Sequence, residues 1–167
     1  MLFSATRFSM LFAALLPLAV LGCGGTDSTS ISTDPVSDAP LAGKINGNAF
    51  TVKSAVGVVF EPASGKRTIT ISGGTVTCAM NIINGPAVLT SVVWKEGTAI
   101  PFDLSHNATL TYPSGDKFEN VVSLTGRIEV IKAPTTVGSK GTIRLRAVVD
   151  DSTTVEGQVE VEICPDF

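Results

Sequence analysis

The chain has 167 residues, enough for one domain together with targeting and linker segments. Its 12 Lys and Arg residues are outnumbered by 15 Asp and Glu residues, and no run of basic residues could follow a phosphate backbone. Composition and charge therefore argue against a nucleic-acid-binding protein.

Residues 1–22 have the pattern of an export signal. Arg7 is the only charge in the first segment, and residues 10–21 form an uncharged apolar run that Pro17 interrupts. A helix that crosses a bilayer needs about 20 apolar residues, so this run is too short to span. We interpret residues 1–22 as a signal peptide that is cleaved on export.

The end of this segment, Val20-Leu21-Gly22-Cys23, resembles the lipobox of bacterial lipoproteins. The motif has an aliphatic residue three positions before the Cys and a small residue directly before it. The resemblance implies that Cys23 becomes the first mature residue and carries a diacylglycerol, which anchors the protein in a membrane. Asp after the Cys often marks inner-membrane retention in this class, so Gly24 favours the outer membrane. An ordinary secretory signal with a chance Cys is the alternative.

Residues 24–40 consist mostly of Gly, Ser, Thr, Asp and Pro. Such a segment buries too little apolar surface to fold by itself, so we expect a flexible tether. An O-glycosylated stalk is the alternative. The expected organisation is a signal peptide (1–22), a lipidated Cys with a tether (23–40) and a folded domain (41–167).

From residue 41 onward, short runs rich in β-branched residues are separated by Gly, Pro, Asn and Asp. They predict an all-β fold, an antiparallel sandwich or barrel of about eight to ten strands. In the second run, Phe50 and Val56 are expected on one face. The last three runs alternate apolar and polar residues and predict a meander with one exposed face. The predicted strands cover residues 43–46, 50–60, 67–72, 75–79, 87–95, 100–104, 108–112, 121–132, 141–150 and 155–164.

The exposed face of the meander carries both signs of charge. A symmetric turn at residues 150–154 would place Arg144 and Arg146 opposite Glu160 and either Gln158 or Glu162. A solvated set of ion pairs and a partner-binding site are the two interpretations of this face.

Two cysteines remain once Cys23 carries lipid, namely Cys78 and Cys164. Export places them in an oxidising compartment, which predicts a disulfide between the C-terminal strand and the middle of the domain. Cys164 shares the parity of the polar positions in its strand, so we expect the bond at a strand end. A metal or redox pair is the weaker alternative, since there is no CxxC motif and only one histidine.

Three further residues are candidate ligand contacts. His106 lies beside Ser105 and near Asp103, as a hydrolase site would require, but no GxSxG motif accompanies it. Trp94 and Tyr112 are the only Trp and Tyr, and each could stack on a sugar or pack in the core. No cofactor and no metal site is expected.

The domain opens with a Gly-x-x-Asn-Gly-x-x-Phe pattern at residues 43–50 and has a Cys in its last strand. With the lipobox, this resembles a broad class of uncharacterised envelope lipoproteins and implies no activity. The first hypothesis is a non-enzymatic, lipid-anchored module that binds an envelope protein or glycan. A structural or assembly accessory and a hydrolase with an atypical site are the alternatives.

Overall fold

The computed structural model describes residues 34–61, 65–79 and 83–165. These residues form strands and connecting loops without a helix, which confirms the predicted all-β class. The predicted signal peptide, Cys23 and the tether up to residue 33 lie outside the described residues. The strands are β1 (Ala42–Ile45), β2 (Asn48–Thr51), β3 (Ser54–Glu61), β4 (Lys66–Ser72), β5 (Ala87–Val93), β6 (Ala99–Pro101), β7 (Ala108–Ser114), β8 (Lys117–Ser123), β9 (Thr125–Lys132), β10 (Lys140–Asp150) and β11 (Thr153–Ile163).

The strands make one curled sheet, a half-barrel with the order β6-β9-β10-β11-β3-β4-β5-β7-β8. The β1–β2 hairpin is attached through β1 to β11. Neighbouring strands are antiparallel except for β11 and β3, which pair in parallel where Glu162 is opposite Val56 and Ile163 is opposite Gly57. The strand β11 thus joins the C-terminal meander to the rest of the sheet.

The main core fills the inside of the curl. Along β9, β10 and β11, alternate side chains such as Ile128, Leu145 and Val161 are fully buried, which confirms the predicted half-buried meander. The alternation stops at one end of the β9–β10 pair, where Leu124 and Val149 are exposed. The inner face of the meander is therefore shorter than the sequence pattern predicts.

The turn between β10 and β11 sets a register that differs from the symmetric one. Arg144 is opposite Gln158 and Arg146 is opposite Glu156, because the register shifts between Val148 and Asp150. The carboxylate of Asp150 accepts hydrogen bonds from the backbone N–H and the hydroxyl of Ser152, both at 2.8 Å. The expectation that Arg144 is opposite Glu160 is therefore wrong, since its partner Gln158 lies two positions earlier in β11.

Two predicted strands are divided in the structure. A break at Val52 and Lys53 separates β2 from β3, so Phe50 enters the main core whereas Val56 points to the other face. The expectation that both share one face is therefore wrong. The strand predicted at residues 121–132 divides at Leu124 into β8 and β9, and residues 75–79 form a loop.

Residues 34–40, at the end of the predicted tether, lie against the sheet; we call them the N-terminal strap. Leu41 N–H donates to the carbonyl of Gln158 (2.8 Å), and Gln158 N–H donates to the carbonyl of Ala39 (2.7 Å). Val36 is almost fully buried. The folded part of the chain thus includes residues on the N-terminal side of Leu41.

Candidate functional site

The outer surface of the half-barrel carries two faces with different chemistry. The outer positions of β9, β10 and β11 form the charged face. The outer positions of β5, β7 and β8, together with Thr68 and Thr70 of β4, form the uncharged face. Between them, the outer side of β3 is covered by a loop that a disulfide fixes in place.

The disulfide joins Cys78 to Cys164 directly after the end of β11. The two Cα atoms are 5.2 Å apart, and the bond confirms the predicted pairing. Cys164 is buried beside Val56 and Val76 in a small second cluster on the outer side of the sheet. Its N–H donates to the carbonyl of Gly57 at 2.9 Å. The bond therefore lies at a strand end, as the polar parity of Cys164 predicts.

Residues 73–79, the disulfide loop, cover this second cluster. Ser54 holds the loop, since its hydroxyl donates to the carbonyl of Gly74 (2.9 Å) and accepts from the N–H of Val76 (2.7 Å). Gly73 N–H donates to the carbonyl of Pro86 at 2.8 Å. Because Pro86 directly precedes β5, the disulfide loop and the start of β5 are held together.

The charged face contains a ladder of side chains across three strands. Arg146 contacts Glu156 at 2.7 Å, Arg127 pairs with Glu129, and Nε of Arg144 donates to Gln158 at 3.2 Å. The hydrogen bond from Arg146 lowers the pKa of the Glu156 carboxyl and raises that of the guanidinium. The face thus carries paired charges, as the solvated-face interpretation requires.

The N-terminal strap is fastened to this charged face. The N–H of Ser37 donates to Oε1 of Glu156 at 2.9 Å, and Arg146 donates to the carbonyl of Pro35 at 3.3 Å. Asp38 lies 4.0 Å from Arg144. The same pair, Arg146 and Glu156, therefore joins β10 to β11 and holds the strap.

The uncharged face contains two adjoining depressions that share Leu89 and Thr109; we call them together the groove. One is mainly apolar, with a volume of about 400 Å³, and the other is mainly polar, with a volume of about 250 Å³. Strand pairing places Leu89 beside Thr109, and Thr109 beside Val122. The apolar depression is lined by Ile83, Leu89, Thr109, Thr111, Phe118 and Asn120, and the polar one by Thr68, Leu89, Thr90, Ser91, Ser105, Asn107 and Thr109.

His106 lies in the loop before β7, where Asp103 organises the backbone. Oδ1 of Asp103 accepts the N–H groups of Ser105 and His106, both at 2.7 Å, and these bonds lower the pKa of the Asp103 carboxyl. The imidazole Nδ1 is 3.8 Å from the same oxygen, and the side chain is 42% exposed. Asp103 is the acid within ion-pair distance of His106 in the described structure, and its hydrogen bonds stabilise a turn.

Trp94 packs against the main core at the end of β5. The indole lies over two glycines, since an ideal Cβ at Gly141 would be 2.5 Å from Cζ3 of Trp94, and one at Gly57 would be 3.8 Å from its Nε1. Nε1 is buried without a hydrogen-bond partner among the described residues. This placement favours the core interpretation of Trp94 over sugar stacking.

Tyr112 is half-buried on the inner side of β7, and its hydroxyl donates to Glu119 on β8 at 2.9 Å. This hydrogen bond raises the pKa of the tyrosine hydroxyl. The pKa of the Glu119 carboxyl is lowered, first by a hydrogen bond from Ser114 and then by that from Tyr112. Tyr112 thus closes the β7–β8 hairpin on the face opposite the groove.

Sequence reasoning did not find the groove. Phe118 and Asn120 belong to a stretch that includes Pro113 and Gly115, which local patterns assign to a turn rather than to a strand. A signal was present in β4 and β7, where Thr68 and Thr70, and then Thr109 and Thr111, occupy alternate positions. Uncharged polar residues at every second position indicate an outer face that differs from an ordinary charged one.

Among the described residues, no group of three or more His, Cys, Asp or Glu side chains could hold a metal ion. Among the same residues, none lies in a helix long and apolar enough to cross a bilayer. The chain matches no protein-family model, no curated protein and no solved structure.

Proposed function

We propose that this chain is a lipid-anchored lipoprotein of the bacterial cell envelope whose β-domain displays a binding surface without catalysing a reaction. A diacylglycerol is attached to the thiol of Cys23, residues 1–22 are then removed, and Gly24 favours delivery to the outer membrane. The ligand or partner belongs to the envelope and is a protein or a glycan.

The observation that carries this proposal is the docking of the N-terminal strap on the charged face. Only residues 24–33 separate Cys23 from Asp34, and they reach at most about 40 Å when fully extended. Hydrogen bonds from Ser37 to Glu156 and from Arg146 to Pro35 fix where the chain enters the domain. The membrane attachment is then connected to one outer face, while the groove lies on another.

Mass spectrometry of the mature N-terminal peptide tests the anchor. Expression in a Gram-negative host should yield a peptide that begins at Cys23 and carries the mass of two or three acyl chains, since one chain does not anchor stably. Cys23→Ser should leave the chain unprocessed and without that lipid. An intact segment 1–22, or a free Cys23 thiol in the mature chain, would contradict the proposal.

The display function has its own test. The full-length chain, purified from membranes, is used to capture envelope material, and the retained protein and polysaccharide are both analysed. Specific retention of one component is expected, and it should disappear in competition with an excess of unlabelled protein. Retention of neither protein nor polysaccharide would argue strongly for a structural accessory instead.

A further inference from the structure

The groove on the uncharged face has a composition that restricts what it binds. Eleven different residues line its two depressions, and none of them ionises. Eight carry a hydroxyl or an amide, and three are apolar, namely Ile83, Leu89 and Phe118. The larger depression, with a volume of about 400 Å³, is of the size found for small-molecule sites, and the adjoining one adds about 250 Å³.

Charge excludes several classes of occupant. A charged ligand that enters this groove loses hydration and meets no opposite charge on the lining, which is unfavourable. Paired charges lie instead on the charged face, for example at Arg146 and Glu156. Nucleic acids and acidic polysaccharides therefore do not fit the groove.

The hydrogen-bonding groups exclude a purely apolar occupant. An acyl chain would cover Asn107, Asn120 and the hydroxyl groups without replacing the hydrogen bonds that water makes to them. An extended peptide has a better alternative at β8, the last strand in the sheet order, where backbone groups at the edge would pair with it. The groove instead lies across the outer side chains of β5, β7 and β8.

A neutral oligosaccharide combines the two properties that the lining requires, because a sugar ring has an apolar C–H face and a rim of hydroxyl groups. Phe118 lines the apolar depression, and its side chain is 50% exposed at an outer position opposite Pro113. An exposed aromatic ring at this position can stack on the apolar face of a sugar ring.

Thr111 provides a second, independent observation. This residue lines the apolar depression and is 7% exposed, and its Oγ1 has no hydrogen-bond partner among the described residues. A buried hydroxyl without a partner is unfavourable. A rotation of the Thr111 side chain that turns Oγ1 into the groove and onto a ligand hydroxyl therefore gains more free energy than a ligand bond to a group that water already solvates.

We propose that the groove binds a neutral oligosaccharide, with Phe118 stacked on one sugar ring and Thr111, Asn120 and Asn107 bonded to its hydroxyl groups. This inference rests on the proposed display function and names its ligand class. The disulfide loop supports one wall, since Gly73 is bonded to Pro86 and Ile83 lies three residues earlier.

Titration calorimetry of the full-length chain tests the proposal. The probes are uncharged hexasaccharides of α-1,4-glucose, β-1,4-glucose, β-1,4-xylose and β-1,4-N-acetylglucosamine, with a hyaluronan hexasaccharide as the charged comparison. The detergent must carry no sugar headgroup, because a maltoside would compete. We expect saturable binding of at least one neutral probe and none of hyaluronan.

Variants locate the binding on the groove. Phe118→Ala should weaken binding by about tenfold, and Thr111→Val, which keeps the shape of the side chain, by about threefold or more. Leu124→Ala is the matched control, since Leu124 is also exposed but does not line the groove, and it should change the affinity by less than about twofold. Thermal unfolding of all three variants checks that they are folded.

Two results would overturn the inference. The first is that no neutral probe binds, or that Phe118→Ala binds as tightly as the unmodified chain. The second is that Phe118→Ala abolishes binding of palmitate, or self-association in sedimentation, while no sugar binds. Neither result changes the outcome expected for lipidation of Cys23 or for the capture experiment. A wrong ligand class is therefore distinguishable from a wrong display function.

Discussion

Gly126 lets β9 cross very close to β10. Its φ is +121°, and an ideal Cβ there would lie 2.0 Å from the carbonyl oxygen of Arg146. No side chain fits at that distance, so the two backbones would have to separate. The neighbouring residues Arg127 and Arg146 are directly opposite each other in the ladder of the charged face. The spacing of this face thus depends on a glycine.

Substitution of Gly126 by Ala should lower the free energy of unfolding by about 3 kcal/mol or more, since it adds both a clash and backbone strain. Gly115→Ala is the matched control. Its φ is +62° and no atom lies within 4 Å of an added Cβ, so the expected loss is about 1 kcal/mol from the backbone alone. Urea denaturation measures both. Equal decreases in the free energy of unfolding of the two variants would show that the close approach of β9 to β10 at Gly126 does not affect stability.

Single residues also show how far sequence patterns reach. The alternation in β10 and β11 predicts their inner faces correctly, because burial of Ile143 or Val161 depends on period alone. The opposite partner of Arg144 depends on the bulge after Val148, which no local pattern specifies. Phe118 was missed because its strand begins beside turn residues, and only pairing with Pro113 places it on the groove.

At the scale of elements, the N-terminal strap is held by interactions that acid should weaken. The pKa of the Glu156 carboxyl is lowered, first by the hydrogen bond from Arg146 and also by that from the N–H of Ser37. A lowered pKa in the folded state means that the ionised form stabilises the fold. This stabilisation is complete above the ordinary value of 4.5 and disappears as the pH falls through the folded-state value.

Glu156→Gln should therefore destabilise the protein by about 1 kcal/mol at pH 7 and by much less at an acid pH below the lowered folded-state pKa, where Glu156 itself is protonated. Urea denaturation at both pH values measures the difference between the two proteins. Glu160→Gln is the control, since its pair with Lys140 is well exposed and its loss should stay within about 0.5 kcal/mol. A Glu156→Gln effect that is the same at both pH values would contradict the ion-pair explanation.

At the scale of the whole molecule, the disulfide connects parts of the fold that the sheet alone joins weakly. The parallel pairing of β11 with β3 covers only two residue pairs, at Glu162 and Ile163. Cys164 follows directly, and its bond to Cys78 fixes the disulfide loop over β3. The C-terminal meander and the groove-bearing strands are thus fastened together at the point where their backbone contact is shortest.

Loss of this bond should destabilise the whole domain. The bond closes a loop with a sequence separation of 86, for which the chain-entropy model gives about 4–5 kcal/mol, and measured losses are commonly about 2–4 kcal/mol. Cys78→Ser is the better variant, because Cys78 is partly exposed whereas Cys164 is fully buried and would leave a buried hydroxyl. Urea denaturation without reductant should show that Cys78→Ser lowers the free energy of unfolding by an amount in this range. Unmodified protein treated with reductant should be as stable as the variant. Stability equal to that of the oxidised protein would mean that the β11–β3 junction holds without the bond. We also expect Cys78→Ser to bind the oligosaccharide more weakly than the unmodified chain, since the disulfide loop supports a wall of the groove.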